Sequence, residues 1–234
     1  MTTDMKNDLG TNEMAMAFDQ LTRNRRSIRG FLPDAVEQAT LDQIFESAAC
    51  APSNCNTQPW QVYVASGELR DRLSELLLAS IGEGEISLDY PYDAKYSDIY
   101  RQRQLDVGLM LYKALGVTRE DKEGKRQAFL RNLEFFGAAH VAFIFMPEWC
   151  GIREAADVGM YAQNLMLAMQ AHGVTSCPQT ILSYNADIVR EQFDIDASLK
   201  LLFGISFGYE DKSLPENQIV PDRASLAESV HFHR

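Results

Sequence analysis

The chain has 234 residues, 46% of them hydrophobic, and its 33 acidic against 22 basic side chains give a net charge of −11. That length supports one large core, and the acidic balance speaks against nucleic acid or an anionic membrane surface as a partner. Apolar runs such as VAFIFM at 141–146 fall far short of the roughly 20 residues a membrane helix needs, so no membrane span is expected.

In chain order, Met14, Phe18 and Leu21 predict a first helix ending near Arg23, preceded by a disordered N-terminus over 1–12. That acidic, polar start has no apolar stretch, and no signal peptide is expected. A second helix is predicted from Thr40, where TLDQ has capping-box spacing and Leu41, Ile44, Phe45, Ala48 and Ala49 form one apolar stripe. It runs into the loop APSNCNTQPW, 51–60. Trp60, Val62 and Val64 alternate as a strand, and Leu69, Leu73, Leu76 and Leu77 mark an amphipathic helix. Residues 81–97 are rich in Gly and Tyr with weak periodicity, which reads as a loop or lid, extended to 81–105 when its neighbours are counted. Helices are predicted over about 98–116 and 119–136, then a buried strand in HVAFIFMP. A long helix over about 152–172 should stop at Gly173. VTSCPQT, a helix opened by Asn185, the strand LKLLFGISFG and an irregular tail from Tyr209 to Arg234 complete the chain. The mixture implies an α+β sandwich with a helical crossover.

Three stretches are dense in chemistry. RNRRSIRGF puts Arg23, Arg25, Arg26 and Arg29 within seven residues, alongside Ser27. Guanidinium groups grip phosphate in a bidentate fork, although a solvated basic turn at a helix end is an equal alternative. APSNCNTQPW offers amides and main-chain groups on a bent, rigid backbone, as a capping turn or as a ligand loop. GVTSCPQT follows a Gly-ended helix and presents small residues. No GxSxG, Walker or HExxH pattern occurs, and GEGE at 82–85 lacks the context of a dinucleotide fold. Cys50, Cys55, Cys150 and Cys177 show no metal spacing, which argues against zinc or a disulfide framework and suits the reducing cytoplasm. Packing is preferred over redox chemistry for Cys55 and Cys177. His140 and His172 read as structural, and His231 and His233 as an exposed end.

RRSIRGF, APSNCNTQPWQVYV, GVTSCPQT and the terminal VPDRASLAESVHF, in that order, resemble the flavin-dependent nitroreductase family over about 18–233. The stretch 111–138 further resembles its nitrobenzoate-reductase branch. The resemblance implies a central, mainly antiparallel sheet surrounded by helices, in an intertwined homodimer with a C-terminal arm over 209–234. It implies non-covalent FMN at the dimer interface. Arg25, Arg26, Ser27, Arg29 and Arg223 would hold the phosphate, ribityl and pyrimidine side, with Pro52, Ser53, Asn54 and Asn56 along the ring from the other subunit. Pro178, Gln179 and Thr180 would cover one face, the Thr180 main-chain N–H reaching flavin N5. Many members carry an acidic residue where Thr180 aligns. Tyr96, Tyr100 and Arg101 would contact substrate from the lid. The implied reaction is hydride transfer from NAD(P)H to a nitroaromatic, a quinone or another small electron-poor aromatic, one site serving both in turn, with no side-chain nucleophile. Reductive dehalogenation, for which Glu83, Glu85, Lys95, Tyr96 and Tyr100 supply the residue types, ene reduction or flavin degradation would suit the same fold, and a flavin-binding protein without turnover is a further alternative.

Overall fold

The computed structural model describes residues 10–93 and 95–234. The sequence folds into helix α1 (Thr11–Asn24), α2 (Gln38–Ala48), strand β1 (Gln61–Ser66), α3 (Gly67–Glu83), α4 (Asp98–Ala114), α5 (Lys122–Leu130), β2 (His140–Pro147), α6 (Ile152–Ala171), β3 (Thr175–Gln179), α7 (Ala186–Phe193), β4 (Leu199–Gly208) and a short α8 (Leu226–Ser229). The strands form one antiparallel sheet in the order β1-β2-β4-β3.

β2 is apolar along its length because both faces of the sheet are covered. Its period-two alternation sends Val141, Phe143 and Phe145 into one cluster, with Leu73 and Leu77 of α3 and Val189 of α7. Ala142, Ile144 and Met146 enter the other, with Leu41 and Ile44 of α2 and Val158, Leu165 and Met169 of α6. The antiparallel sheet sandwiched by helices is the expected architecture.

Three expectations need adjustment. α2 starts at Gln38 rather than Thr40, and the Thr40 capping box does not form; the Glu37 carbonyl instead accepts from the N–H groups of Thr40 and Leu41, both at 3.0 Å. Two residues before the helix, the Val36 N–H donates to buried His140 Nε2 at 2.9 Å. The helix predicted to 136 ends at Leu130, because Leu133, Phe135 and Phe136 turn into the core, the two phenylalanines in the left-handed region. Of the N-terminus expected to be disordered, 1–9 lie outside the described residues, whereas Thr11 and Asn12 open α1. Gly173 stops α6 as expected, at φ +72, a conformation that costs a glycine little. Among the described residues no helix is long and apolar enough to cross a membrane.

Candidate functional site

After α1, residues 25–31 run extended beside β3: Ser27 bridges Ser176, and the Ile28 N–H donates to the Ser176 carbonyl at 3.0 Å. An extended chain alternates its side chains, and this divides the arginines. Ile28 is buried in the core, and Arg26 turns away to pair with Glu210 at 3.1 Å and to donate to the Asn217 carbonyl. Arg23 pairs with Asp19 on α1. Arg25 and Arg29 instead approach the buried Cys177 of β3 closely enough to act on its thiol; burial nevertheless dominates and pushes Cys177 up to about 11, so it stays protonated. The half-buried Arg25 guanidinium sits below its ordinary value, first through loss of hydration and then through the positive charge of Arg223. Arg223 itself donates only to the carbonyls of Pro221 and Asp222. Neither Arg25 nor Arg223 is paired with a carboxylate among the described residues.

Past Cys177, exposed Pro178 and Thr180 line an open pocket of about 280 Å³ with Tyr92, Phe129, Asn132 and Tyr184. Gln179 also borders it, but its side chain is buried: Nε2 donates to the Asn132 carbonyl at 2.9 Å and Oε1 accepts from Ser206. Its amide holds the end of β3 in place. The stretch expected to be a lid is more firmly tied than its composition suggests. Residues 81–83 complete α3 and 98–105 belong to α4. Between them, Asp89 pairs with Arg190 at 2.5 Å and accepts from the Leu201 N–H at 2.7 Å, while the Asn185 amide donates to the Glu85 carbonyl at 2.9 Å. Tyr92 follows these anchors directly. Its hydroxyl lies 3.3 Å from that of Tyr96, and this bond, helped by burial, pushes Tyr92 up to about 12. Tyr96, Tyr100 and Arg101 are exposed, Arg101 bonding to Gln104 and the Tyr100 ring lying 5.8 Å from the Arg103 guanidinium.

The third element, Pro52–Asn56, stands apart. Cys55, Asn56 and Gln58 all have positive φ, a run that short polar loops tolerate only when fixed from outside. Two anchors fix it: the Asn54 N–H donates to buried Asp157 of α6 at 3.0 Å, and Trp60 stacks on Tyr161 at 4.8 Å. The Ser53 hydroxyl accepts from the Gln58 N–H at 2.9 Å, and Pro52, Asn54, Cys55 and Asn56 point outward, so Cys55 is not a packing residue within this chain. Asp157 lies near the start of α6, whereas the arginine strand passes Gln170 near its end. At 1.5 Å per residue, that places the two elements about 20 Å apart along the helix.

A profile of the nitroreductase family matches residues 22–209. The chain belongs to the nitroreductase family. It is 44% identical over 225 residues to nitroreductase NfnB of Mycolicibacterium smegmatis, covering 96% of each chain. It is 31% identical over 220 residues to a 4-nitrobenzoate reductase of Pseudomonas putida, covering 92% of this chain and 95% of that one. A crystal structure of the FMN-dependent nitroreductase NfnB from Mycobacterium smegmatis in complex with NADPH superimposes with a TM-score of 0.91 over 94% of this chain and all of that one. Within this family fold, sequence reasoning overlooked Tyr92, Phe129, Asn132 and Asp157. Tyr92 was within reach, since it sits in the same Tyr-rich stretch as Tyr96; Asp157 looks like any polar residue of a helix face.

Proposed function

We propose that the protein is an FMN-dependent oxidoreductase that uses NAD(P)H to reduce nitroaromatics, quinones or similar electron-poor acceptors. The observation that carries this reading is half-buried Arg25, which feels the charge of exposed Arg223 and has no carboxylate partner among the described residues, in a chain of net charge −11. Neighbouring positive charges without a carboxylate suit an anion, and one arginine cluster is sized for a single phosphate rather than a pyrophosphate. The open pocket past the end of β3, lined by Tyr92, Phe129 and Tyr184, suits a planar aromatic ring.

FMN, when bound, supplies the two-electron carrier between NAD(P)H and the acceptor. Arg25, Ser27 and Arg223 would hold its phosphate side and Arg29 its pyrimidine edge. Arg26, which is committed to Glu210, contributes through its main chain. The Thr180 main chain, at the open end of β3, is the donor we assign to the hydride-exchanging ring nitrogen. Tyr92, Tyr96, Tyr100 and Arg101 would screen the acceptor. Cys177, buried and held as a thiol, takes no part as a thiolate.

Residues 10–234 act as one domain in this reading, with 209–234 as an arm around a second copy. Support comes from apolar surface that one chain leaves uncovered: Met14, Met16 and Phe18 of α1, Leu109 of α4, and Val220, Leu226 and Phe232 of the tail, each more than half exposed. The separation of the arginine strand from Pro52–Asn56 points the same way, because a second chain can bring its loop to the first chain's arginines. Four free cysteines favour the cytoplasm.

The purified protein should be yellow, release FMN on denaturation and oxidise NADPH or NADH faster when 4-nitrobenzoate or a quinone is added. Release of FAD, or failure to bind FMN on titration, would overturn the assignment.

A further inference from the structure

Pro215–Gln218 is a single 3-10 turn in the tail, yet two of its polar side chains are almost completely buried: Glu216 is 3% and Asn217 1% exposed. Asn217 Oδ1 accepts from the Arg29 N–H at 2.8 Å. Its Nδ2 donates to the Gly30 carbonyl at 2.8 Å and to the Asp211 carbonyl at 2.9 Å, and its own carbonyl accepts from Arg26. Glu216 pairs with Arg131, and Arg131 Nη2 donates to the Arg29 carbonyl at 2.9 Å. The N–H and the C=O of one residue, Arg29, are thus both held through this turn. Gly30 permits the approach: a Cβ there would lie 2.1 Å from Leu214 Cδ1.

We infer that Asn217 and Glu216 are positioning residues for the phosphate site. They fix the backbone of 26–30 so that alternation keeps Arg25, Ser27 and Arg29 on one side of the strand. A buried carboxylate and a buried amide are costly fillers for a tail that only needs to cover the core, where apolar side chains would serve at least as well. What they provide instead is direction, since every polar atom named has its partner and the partners converge on one strand. The same arm that carries Arg223 therefore also sets the register of Arg25 and Arg29.

This inference rests on the FMN assignment, and its test separates the two. FMN and riboflavin differ only in the phosphate, so the ratio of their affinities reports the arginine site rather than the fold. Titration of the apoprotein by flavin-fluorescence quenching should show wild type preferring FMN. In Asn217→Ala, FMN affinity should fall about thirtyfold and riboflavin affinity less than about threefold, as expected for losing well-aligned charge-assisted bonds. Glu216→Gln, which keeps the shape and is the variant to use if Asn217→Ala does not fold, should show the same selective loss at about fivefold. Equal losses for both flavins, or an unchanged ratio, would overturn the positioning role. A wild-type protein indifferent to the phosphate would instead sink the cofactor assignment itself.

Discussion

The arginine strand and the Pro52–Asn56 loop are both polar, both follow a helix, and both resemble family motifs, yet they are built in opposite ways. The strand is clamped on two edges, by Ser176 of β3 and by Asn217, and its Arg25 and Arg29 both act on buried Cys177. The loop is fixed only from behind, through Asp157 and Trp60, and aims its amides at solvent. In the proposed reading, one is a finished half-site and the other a half-site awaiting a second chain. Within the shared-site reading, a chain presets its phosphate grip and leaves ring recognition to dimerisation.

The largest break in this contrast should come from Arg25→Ala, which removes one of two uncompensated charges. FMN should bind about a hundredfold more weakly, near the upper range for a hydrogen bond to a charged group, with little change in the melting temperature of the apoprotein. Equilibrium titration of apoprotein decides it, and an unchanged FMN affinity would remove Arg25 from the site.

Asp157→Ala attacks the other half. It leaves the Asn54 N–H without its partner and releases a left-handed loop, so flavin binding should weaken about tenfold. Unlike loss of Arg25, the change should affect FMN and riboflavin alike. A phosphate-selective loss in Asp157→Ala would contradict the division of labour between the two elements.

The tyrosine segment should act on the acceptor instead. Tyr92→Ala should change the kcat/KM ratio between nitroaromatic and quinone acceptors by about fivefold, more than Tyr100→Ala or Arg101→Ala, because only Tyr92 lines the pocket wall. FMN affinity should hold in all three. If FMN is lost while acceptor preference stays constant, the segment is structural.

The smallest effect is a pH dependence. His140 accepts from the Val36 N–H through Nε2 and so donates from Nδ1 to Ser66 Oγ, 2.5 Å away; burial lowers its pKa from 6.5. It is therefore neutral in the folded chain. Well above pH 6.5 neither the folded nor the unfolded chain binds a proton there, and stability is unaffected. As pH falls through 6.5 the unfolded chain takes up a proton first, and stability declines by at most about 1.4 kcal/mol per unit. Since Val36 leads into α2 and the loop beyond it, amide exchange at 36–56 should rise in acid before exchange at 25–31. His140→Gln should flatten the dependence.

Much of the fold was legible because burial on both faces leaves a continuous apolar run: HVAFIFMP and LKLLFGISFG are β2 and β4 to the residue. The start of α2 was not, since a long-range bond from Val36 to His140, 104 residues away, outweighs the local cap. The site motifs were visible as clusters of residue types, but their division was not drawn. Once RRSIRG is taken as extended, alternation alone separates Arg25, Ser27 and Arg29 from Arg26 and Ile28. Glu216 and Asn217 left no local signal, because PENQ reads as an ordinary turn until the chain that it meets is known.

The central claim, that one flavin site draws its arginines and its amide loop from two chains, is most directly tested by complementation. Arg25→Ala/Arg223→Ala and Asn54→Ala/Asn56→Ala chains, carrying different affinity tags, are co-expressed and the tandem-purified heterodimer is assayed for bound FMN. Each parental homodimer should have lost flavin, whereas the heterodimer, with one intact and one doubly damaged site, should hold about one FMN per dimer. A heterodimer as empty as its parents, or a wild-type monomer with full FMN affinity, would contradict it.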